Sequence, residues 1–421
     1  EREYQVLFPE AVIFEADRVN AEFRRAVRTM AQYDLRPRAY ELVQGNDKAF
    51  VWRIETDDGP KALKWIGRKA EKAKFSIYAH HHLQAKGFPV PSISRTKTGR
   101  LFLQDGQRVG FVAQWIIGRP INPHAPGDWA IFCKALADFH NASRGLRLPP
   151  GTRIKSKLGG WPLDYQSKIS RLKLWYQVVQ KKRGFFYSRY RELAPRVIAH
   201  AEKLLEQLVR SAYWDWIEAE IAGGHPPLCH SDYGLSNTVL AGNTLYVIDM
   251  DTCAHDLPIR DMRKLFETFL GETTALDEGL RQVIEGYTKH RPLSMEQLGV
   301  FLIDVQFPYK FFQAAKDGFT LNLFDEATLV EAAQNDLARS RAVALVSAGS
   351  LPASPPPRRS MLGPQGHLPR QASADAPDWA VRDARQGGRR TRRGGVRGRR
   401  QAQGARRGGS RRVREGLPER R

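Results

Sequence analysis

The spacing of apolar and polar residues predicts a small sheet in the first part of the chain. Apolar positions recur at helical intervals over 20–34, and three short alternating runs follow: AYELVQ, AFVWRIETD and PKALKWIG. Helical periodicity returns over 69–86 and stops at a glycine. The run LFLQDGQRVGFVAQWI predicts a hairpin with an Asp-Gly turn. We therefore expect, before residue 118, a helix at 20–34 followed by a sheet with one accompanying helix at 69–86.

After residue 118 the pattern is mostly helical. The segment DWAIFCKALADFHNAS and the long stretch 163–222 have helical spacing, and further helices are predicted to about residue 346. Only the short runs PLCHSD, NTVLAG and TLYVIDMD are typical of strands. A small sheet joined by a short linker to a larger helical region predicts an α+β, two-lobed architecture, with lobes at 1–117 and 118–346.

The net charge of +22 is distributed unevenly along the chain. Residues 350–421 hold 19 arginines, no lysine and five acidic residues, so they carry +14 and the other 349 residues carry +8. Because this segment has few apolar side chains to offset the entropy cost of folding, we expect a disordered Arg/Gly/Pro-rich tail at 347–421. A frameshifted or read-through end is one alternative. An RNA-binding arm is another, since RRTRRGGVRGRR would neutralise phosphates, although it lacks the Phe or Tyr between repeats that would stack on bases.

Composition excludes several classes of protein. With 42% hydrophobic and 10% aromatic residues the chain can bury a core, and no apolar run approaches the length of a membrane span. Three cysteines without a CxxC pair argue against a disulfide scaffold or a zinc site. The first residues lack the pattern of a signal peptide. We therefore expect a protein of a reducing compartment with no membrane partner.

The residues with recognisable chemistry lie between positions 228 and 261. His230, Asp232 and Asn237 form an HxDxxxxN motif after a predicted strand, and Asp249 follows on a hairpin turned by Gly-Asn. Phosphoryl transfer needs a carboxylate that deprotonates the acceptor hydroxyl and two oxygen ligands that hold Mg²⁺ on the phosphates. Because the hairpin folds Asp249 back beside the first motif, the spacing predicts a phosphoryl-transfer site rather than isolated turn residues.

On these residues the sequence resembles the aminoglycoside phosphotransferase and choline kinase-like relatives of the protein kinases. More narrowly, it resembles the CotS-type spore coat kinase-like proteins of spore-forming bacteria. The narrower resemblance rests on motifs that run in order over residues 40–313: ALKWIGR, HLQAKGFPVPSI, TKTGRLF, FHNASRG, KLGGW, CHSDYGLSN, VIDMDTCAHDLPIRDMRKL and FPYKFF. It implies a protein kinase-like fold in which 1–117 binds nucleotide and 118–346 carries the catalytic and acceptor residues, with ATP and Mg²⁺ as cofactors.

The resemblance also implies a role for each residue that matches a family motif. Asp232 would be the catalytic base, and His230 would support the loop that carries it. Asn237 and Asp249 would be the metal ligands. Lys64, in the strand ALKWI, would hold the α- and β-phosphates of the nucleotide.

Other residues are expected to support this site. Asp251 stands where a protein kinase has the glycine of its DFG motif, which points to the small-molecule kinase branch. Asp261 would anchor the catalytic loop from the start of a helix, where carboxylates are favoured. Main-chain atoms from Gln114 to Ile116 would bind the adenine.

Two features depart from the family pattern. The loop QGNDKAFVW, which is expected to cover the phosphates, has only one glycine, Gly45. On the helix after Lys64, Glu71 lies about a turn earlier than the glutamate that should pair with this lysine, and Ser76 occupies roughly the expected place. Either Glu71 reaches back to Lys64 or the ion pair is missing.

The charge of the expected acceptor side restricts the substrate. Residues 147–215 contain 15 basic and five acidic residues, an excess that disfavours polycationic aminoglycosides. An anionic sugar, a polyol phosphate or an acidic protein surface would fit better, although solvent-exposed helix faces explain the excess equally well.

We therefore predict an ATP- and Mg²⁺-dependent phosphotransferase that acts on a hydroxyl of a non-cationic small molecule or coat protein. It would lie in the mother-cell cytoplasm or the spore coat. A pseudokinase that serves as a structural coat component is the main alternative. A kinase-like protein that binds RNA weakly through its tail is the third.

Overall fold

The computed structural model describes residues 13–67, 69–224, 226–270 and 275–348, with side chains from residue 20 onward. Within these ranges an antiparallel sheet precedes a mainly helical region, which confirms the predicted fold class. None of the helices described is both long and apolar enough to cross a lipid bilayer. The predicted tail lies outside the described residues except for its first two, which continue the last helix.

The sheet region begins with helix α1 (Ile13–Met30). It contains the strands β1 (Pro37–Gly45), β2 (Ala49–Thr56), β3 (Lys61–Ile66), β4 (Ile93–Ser94), β5 (Leu103–Asp105) and β6 (Arg108–Gln114), with helix α2 (Ala70–Ala85) between β3 and β4. The hydrogen-bonded order is β1-β2-β3-β6-β4, β5 pairs with β6, and every pairing is antiparallel.

Alternation along β3 gives the sheet two different faces. Leu63 and Trp65 pack with Trp52 of β2 in the apolar cluster that includes residues of α1. Ile66 belongs to a second cluster, which includes residues of α2. Since side chains two residues apart on a strand point to the same side, Lys64 lies on the face of Ile66, toward α2.

A linker after β6 leads into the helical region. Its helices are α3 (Pro126–Ala142), α4 (Trp161–Val179), α5 (Phe185–Arg210), α6 (Tyr213–Ala222), α7 (Ile259–Phe269), α8 (Leu276–Thr288), α9 (Met295–Gln306), α10 (Tyr309–Leu321) and α11 (Glu326–Ala348). Between α6 and α7 lie the short strands β7 (Leu228–Cys229), β8 (Thr238–Ala241), β9 (Thr244–Val247) and β10 (Ala254–His255). Strands β8 and β9 form the predicted hairpin, and β7 pairs with β10.

The structure differs from the predicted elements at several ends. The stretch 163–222 forms three helices, because Gly184 at φ 124° separates α4 from α5 and the extended Ser211 ends α5. The first helix begins earlier than predicted and ends at Met30. The strand predicted in PLCHSD has only two residues, because the chain turns at Ser231, which has φ 67°.

Candidate active site

A cavity of about 470 Å³ opens between the sheet and the hairpin β8–β9. Its lining includes Lys64 of β3, Gln114 and Ile116 at the start of the linker, and Asn237 and Asp249 of the helical region. Five residues that the sequence singles out for nucleotide or metal binding therefore face one cavity.

The ammonium of Lys64 lies between two carboxylates. Its Nζ is 2.9 Å from Oδ1 of Asp249 and 3.1 Å from Oδ2 of Asp251. Asp249 has φ 57°, so the chain turns sharply after β9. Burial raises the pKa of Asp249, but the charge and hydrogen bond of Lys64 outweigh burial and hold this pKa below its ordinary value. Asp249 is therefore anionic at neutral pH.

Of the two alternatives given for Glu71, the structure favours the second: within the residues it describes Glu71 does not contact Lys64, so the supporting role assigned to Glu71 at this lysine is wrong. Its carboxylate is 2.9 Å from Nζ of Lys74, and its side chain is 46% exposed. Ser76 lines the cavity instead. Five residues along an α-helix correspond to a rotation of about 140°, so Glu71 and Ser76 leave α2 in different directions.

The loop after β7 is held by Asp261, the third residue of α7. Its carboxylate accepts hydrogen bonds from the N–H groups of His230 (2.6 Å) and Ser231 (2.8 Å), and Nε2 of the buried His140 lies 3.2 Å away. Burial raises the pKa of Asp261, but the hydrogen bonds of His140 and Ser231 lower it below its ordinary value. These contacts hold Ser231 at φ 67°, directly before Asp232.

The ring of His230 is buried beneath the same loop. Its Nε2 lies 2.9 Å from the carbonyl oxygen of Ile248, and its own carbonyl accepts a hydrogen bond from Thr252 (2.8 Å). His230 therefore links the loop to the chain on both sides of Asp249, in agreement with a structural role.

The carboxylate of Asp232 is half exposed and contacts two side chains. Nδ2 of Asn237 donates to its Oδ2 (3.1 Å) and to its main-chain oxygen (2.8 Å). Nζ of Lys264, on α7, lies 3.2 Å from its Oδ1. Because the amide nitrogen of Asn237 is committed to Asp232, the amide oxygen is the atom that this side chain can offer to a cation.

The hairpin brings Asn237 and Asp249 together. The N–H of Ile248 donates to the carbonyl of Asn237 (2.9 Å), so the two candidate ligands start from neighbouring backbone positions and line the same cavity. An amide oxygen and a carboxylate are hard ligands of the kind that Mg²⁺ prefers. The donor set therefore fits a magnesium ion.

The linker lies along the cavity, and two of its main-chain N–H groups already donate hydrogen bonds within the protein. The N–H of Gln114 donates to Ser92 (2.9 Å), and that of Trp115 donates to Pro60 (3.1 Å). Among the described residues, the N–H of Ile116 has no partner. The linker thus presents one main-chain donor next to the cavity.

The expected phosphate-covering loop is a tight turn at the end of β1. Gln44 lines the cavity, whereas Gly45 is not part of the lining. Oδ1 of Asn46 accepts hydrogen bonds from the N–H groups of Lys48 (2.8 Å) and Ala49 (3.0 Å). A side chain therefore occupies amides that a glycine-rich loop would direct at phosphate.

Three lysines at the site were not identified from the sequence. Lys155 donates to the main-chain oxygen of Asp251 (2.8 Å), Lys157 donates to the hydroxyl of Ser231 (3.2 Å), and Lys264 makes the contact described above. Lys155 and Lys157 belong to the basic excess before α6, and this excess is the one feature of the sequence that pointed to them. No sequence spacing indicates Lys264.

A sheet region and a helical region that enclose a cavity with these residues define the kinase-like class of phosphotransferases. Residues 36–293 match the model of the phosphotransferase enzyme family (APH). The chain belongs to this family.

A curated relative and two solved structures agree with this assignment. Spore coat protein S of Bacillus subtilis (strain 168) is 27% identical over 263 residues, which cover 62% of this chain and 74% of the relative. An aminoglycoside phosphotransferase from Alicyclobacillus acidocaldarius subsp. acidocaldarius DSM 446 has a TM-score of 0.57 at 17% identity, covering 76% of this chain and 93% of its own. Amicoumacin kinase hAmiN, in complex with AMP-PNP, Ca²⁺ and Ami, has a TM-score of 0.53 at 13% identity, covering 78% and 97%. These matches confirm the resemblance and the kinase-like fold.

Proposed function

We propose that this chain transfers the γ-phosphoryl group of Mg²⁺-bound ATP to a hydroxyl of a non-cationic acceptor. The observation that carries the proposal is the presence of Lys64, Asn237 and Asp249 on one cavity, with Asp232 hydrogen-bonded to Asn237. Membership of the phosphotransferase family supports the reaction class. A structure of the same fold was solved with AMP-PNP and Ca²⁺, which supports a nucleotide and a divalent cation.

Each residue would have a defined task in this reaction. Lys64 would hold the α- and β-phosphates, and Asn237 and Asp249 would hold Mg²⁺, which neutralises charge on the phosphates. Asp232 would accept the proton of the acceptor hydroxyl as its oxygen forms a bond to the γ-phosphorus. The bond from this phosphorus to the bridging oxygen breaks at the same time, and ADP leaves.

The adenine would lie against the linker. The N–H groups of Gln114 and Trp115 already donate within the protein, so the N–H of Ile116 is the donor that we expect to contact the base.

Two ammonium groups beside the proposed base support an acceptor that is not cationic. Lys264 contacts Asp232, and Lys157 contacts Ser231, the preceding residue. Burial and the positive charge of Arg260 lower the pKa of Lys157, so its ammonium would gain from a nearby anion. A phosphate or carboxylate on the acceptor would supply that charge, whereas a polyamine would be repelled.

The relative from Bacillus subtilis is a spore coat protein, and we propose a similar association for this chain. A pseudokinase that serves the coat by binding alone is the second candidate. It is favoured by the turn at Asn46, whose side chain occupies two amides of the phosphate loop.

Calorimetric titration with ATP, in the presence and absence of Mg²⁺, tests the proposal. We expect heat of binding that depends on Mg²⁺. No heat at millimolar nucleotide would reject the proposed function, and binding without any turnover would favour the pseudokinase.

A further inference from the structure

Lys64 has no carboxylate partner on α2, but it has one in the turn that follows Asp249. We propose that Asp251 is the fixed counter-ion that positions Lys64 for the phosphates, in place of a glutamate from α2. This inference rests on the proposed function of the site.

The two carboxylates at Lys64 differ in exposure. The side chain of Asp249 is 42% exposed, whereas those of Asp251 and Lys64 are only 13% and 12% exposed. The pair of Lys64 and Asp251 is thus the more shielded one, and solvent screens it less.

The backbone of Asp251 is held by two other elements. Its main-chain oxygen accepts a hydrogen bond from Nζ of Lys155 (2.8 Å) and lies 3.3 Å from the hydroxyl of Ser76 on α2. The next residue, Thr252, donates to the carbonyl of His230 in the catalytic loop (2.8 Å). Asp251 is therefore tied both to α2 and to the loop that carries the proposed base.

Asp249 is poorly suited to hold Lys64 once the nucleotide is bound. It is the only carboxylate in the proposed metal-ligand pair, and a metal ion on its oxygen would compete with the ammonium of Lys64 for the same negative charge. Under this proposal Asp251 is not a metal ligand, so it would keep Lys64 in place if Asp249 bound the metal.

Glu71 is the only acidic residue of α2, and it is occupied elsewhere. Its carboxylate contacts Lys74, one turn along the same helix, and its side chain is about half exposed to solvent. Replacing it therefore provides a matched control, because it removes a carboxylate from the same region without touching Lys64.

A double-mutant cycle tests the pair, with affinity for Mg²⁺–ATP measured by calorimetry. Asp251→Asn should weaken binding about 10-fold or more, because it leaves the shielded ammonium with only Asp249, the carboxylate that the proposed metal ion also needs. In a Lys64→Met background the same substitution should change affinity by less than about 2-fold, and Glu71→Gln should retain the wild-type value. A purely structural role for Asp251 would not give this loss of effect in the Lys64→Met background.

Two results would overturn the inference while leaving the proposed function intact. One is wild-type affinity in Asp251→Asn. The other is an equal loss from Asp251→Asn with and without Lys64, which would indicate an independent role such as metal binding. If the wild-type chain binds no nucleotide, the proposed function fails and the inference fails with it.

If Asp251→Asn does not fold, a comparison of Asp251→Glu with Asp251→Gln answers the same question, since these variants have the same size and differ in charge. We expect the glutamate variant to bind Mg²⁺–ATP at least about 10-fold more tightly, as a charged counter-ion requires. Equal affinities would refute the inference.

Discussion

Removal of Asp261 should disturb the loop after β7, which carries the proposed base Asp232. It is fully buried, and its carboxylate accepts hydrogen bonds from the N–H groups of His230 and Ser231 and contacts His140. Asp261→Ala would leave two main-chain N–H groups without partners, at a cost of about 1–3 kcal/mol each. We therefore expect a loss of about 4 kcal/mol, a large part of the ~5–15 kcal/mol of a typical domain.

The same substitution should lower turnover beyond its effect on stability. Ser231 has φ 67°, a conformation that is unfavourable for a residue other than glycine and that these hydrogen bonds hold. When they are lost, Ser231 should relax and move Asp232 away from the acceptor. Asp261→Asn keeps one acceptor oxygen, so it should lose about half as much stability.

The pH dependence gives an independent measure. The pKa of Asp261 in the folded chain lies below its ordinary value, which is about 3.9 in unfolded peptides. Its contribution to stability is therefore present above about pH 4 and is lost as the pH falls through the folded pKa. Asp261→Asn should be less sensitive to acid over that range.

Urea unfolding at pH 7 and in acid measures the loss of stability and its dependence on pH. Asp138→Ala is the control, because Asp138 is a half-exposed residue of α3 whose hydrogen-bonded ion pair, with Lys134, lies on the surface and should contribute little. An unfolding free energy of Asp261→Ala within about 1 kcal/mol of wild type would refute the reasoning, since a single unsatisfied N–H should already cost about that much.

Three further predictions concern the metal, the linker and the tail. Asp249→Asn should weaken Mg²⁺–ATP binding about 10-fold or more in calorimetry, because it removes a charged metal ligand; unchanged affinity would remove Asp249 from the metal site. Gly118→Ala should lower the melting temperature by several degrees, because a Cβ there would lie 2.4 Å from a main-chain oxygen of β8. A Cβ at Gly127 would meet no atom within 4 Å, so Gly127→Ala should leave the melting temperature unchanged. Equal drops in melting temperature for the two variants would contradict this account. A chain that ends at Ala348 should melt within about 2 °C of the full chain, since the segment removed is poor in apolar residues; a larger drop would show that this segment packs on the rest.

The parts of the site that could be predicted are those set by short-range sequence patterns. The two-residue period of β3 separates Lys64 from the apolar face of Leu63 and Trp65, and the Gly-Asn turn fixes how far Asp249 lies from Asn237. The strand and helix ends depended on less regular features, such as the positive φ of Ser231 and Gly184, which the surrounding contacts impose.

Contacts between distant segments could not be read from the sequence. Lys155 meets Asp251 across 96 residues, and Lys264 meets Asp232 across 32, so both depend on how the helices pack. The sequence left open whether Glu71 reaches Lys64, because Glu71 is the only acidic residue of α2 and lies about a turn early. The rotation along α2 instead turns Ser76 to the cavity.

Release of ADP from Mg²⁺–ATP tests the central claim most directly, first with water alone and then with a series of anionic hydroxyl compounds. The wild-type chain should release ADP, and Asp232→Asn should reduce the rate about 10²–10⁴-fold while its affinity for Mg²⁺–ATP stays within a few fold, because a general base acts in the transition state. Asp138→Asn should keep the wild-type rate. Equal rates in the wild type and Asp232→Asn would contradict the account, because Asp232 would then have no part in the transfer.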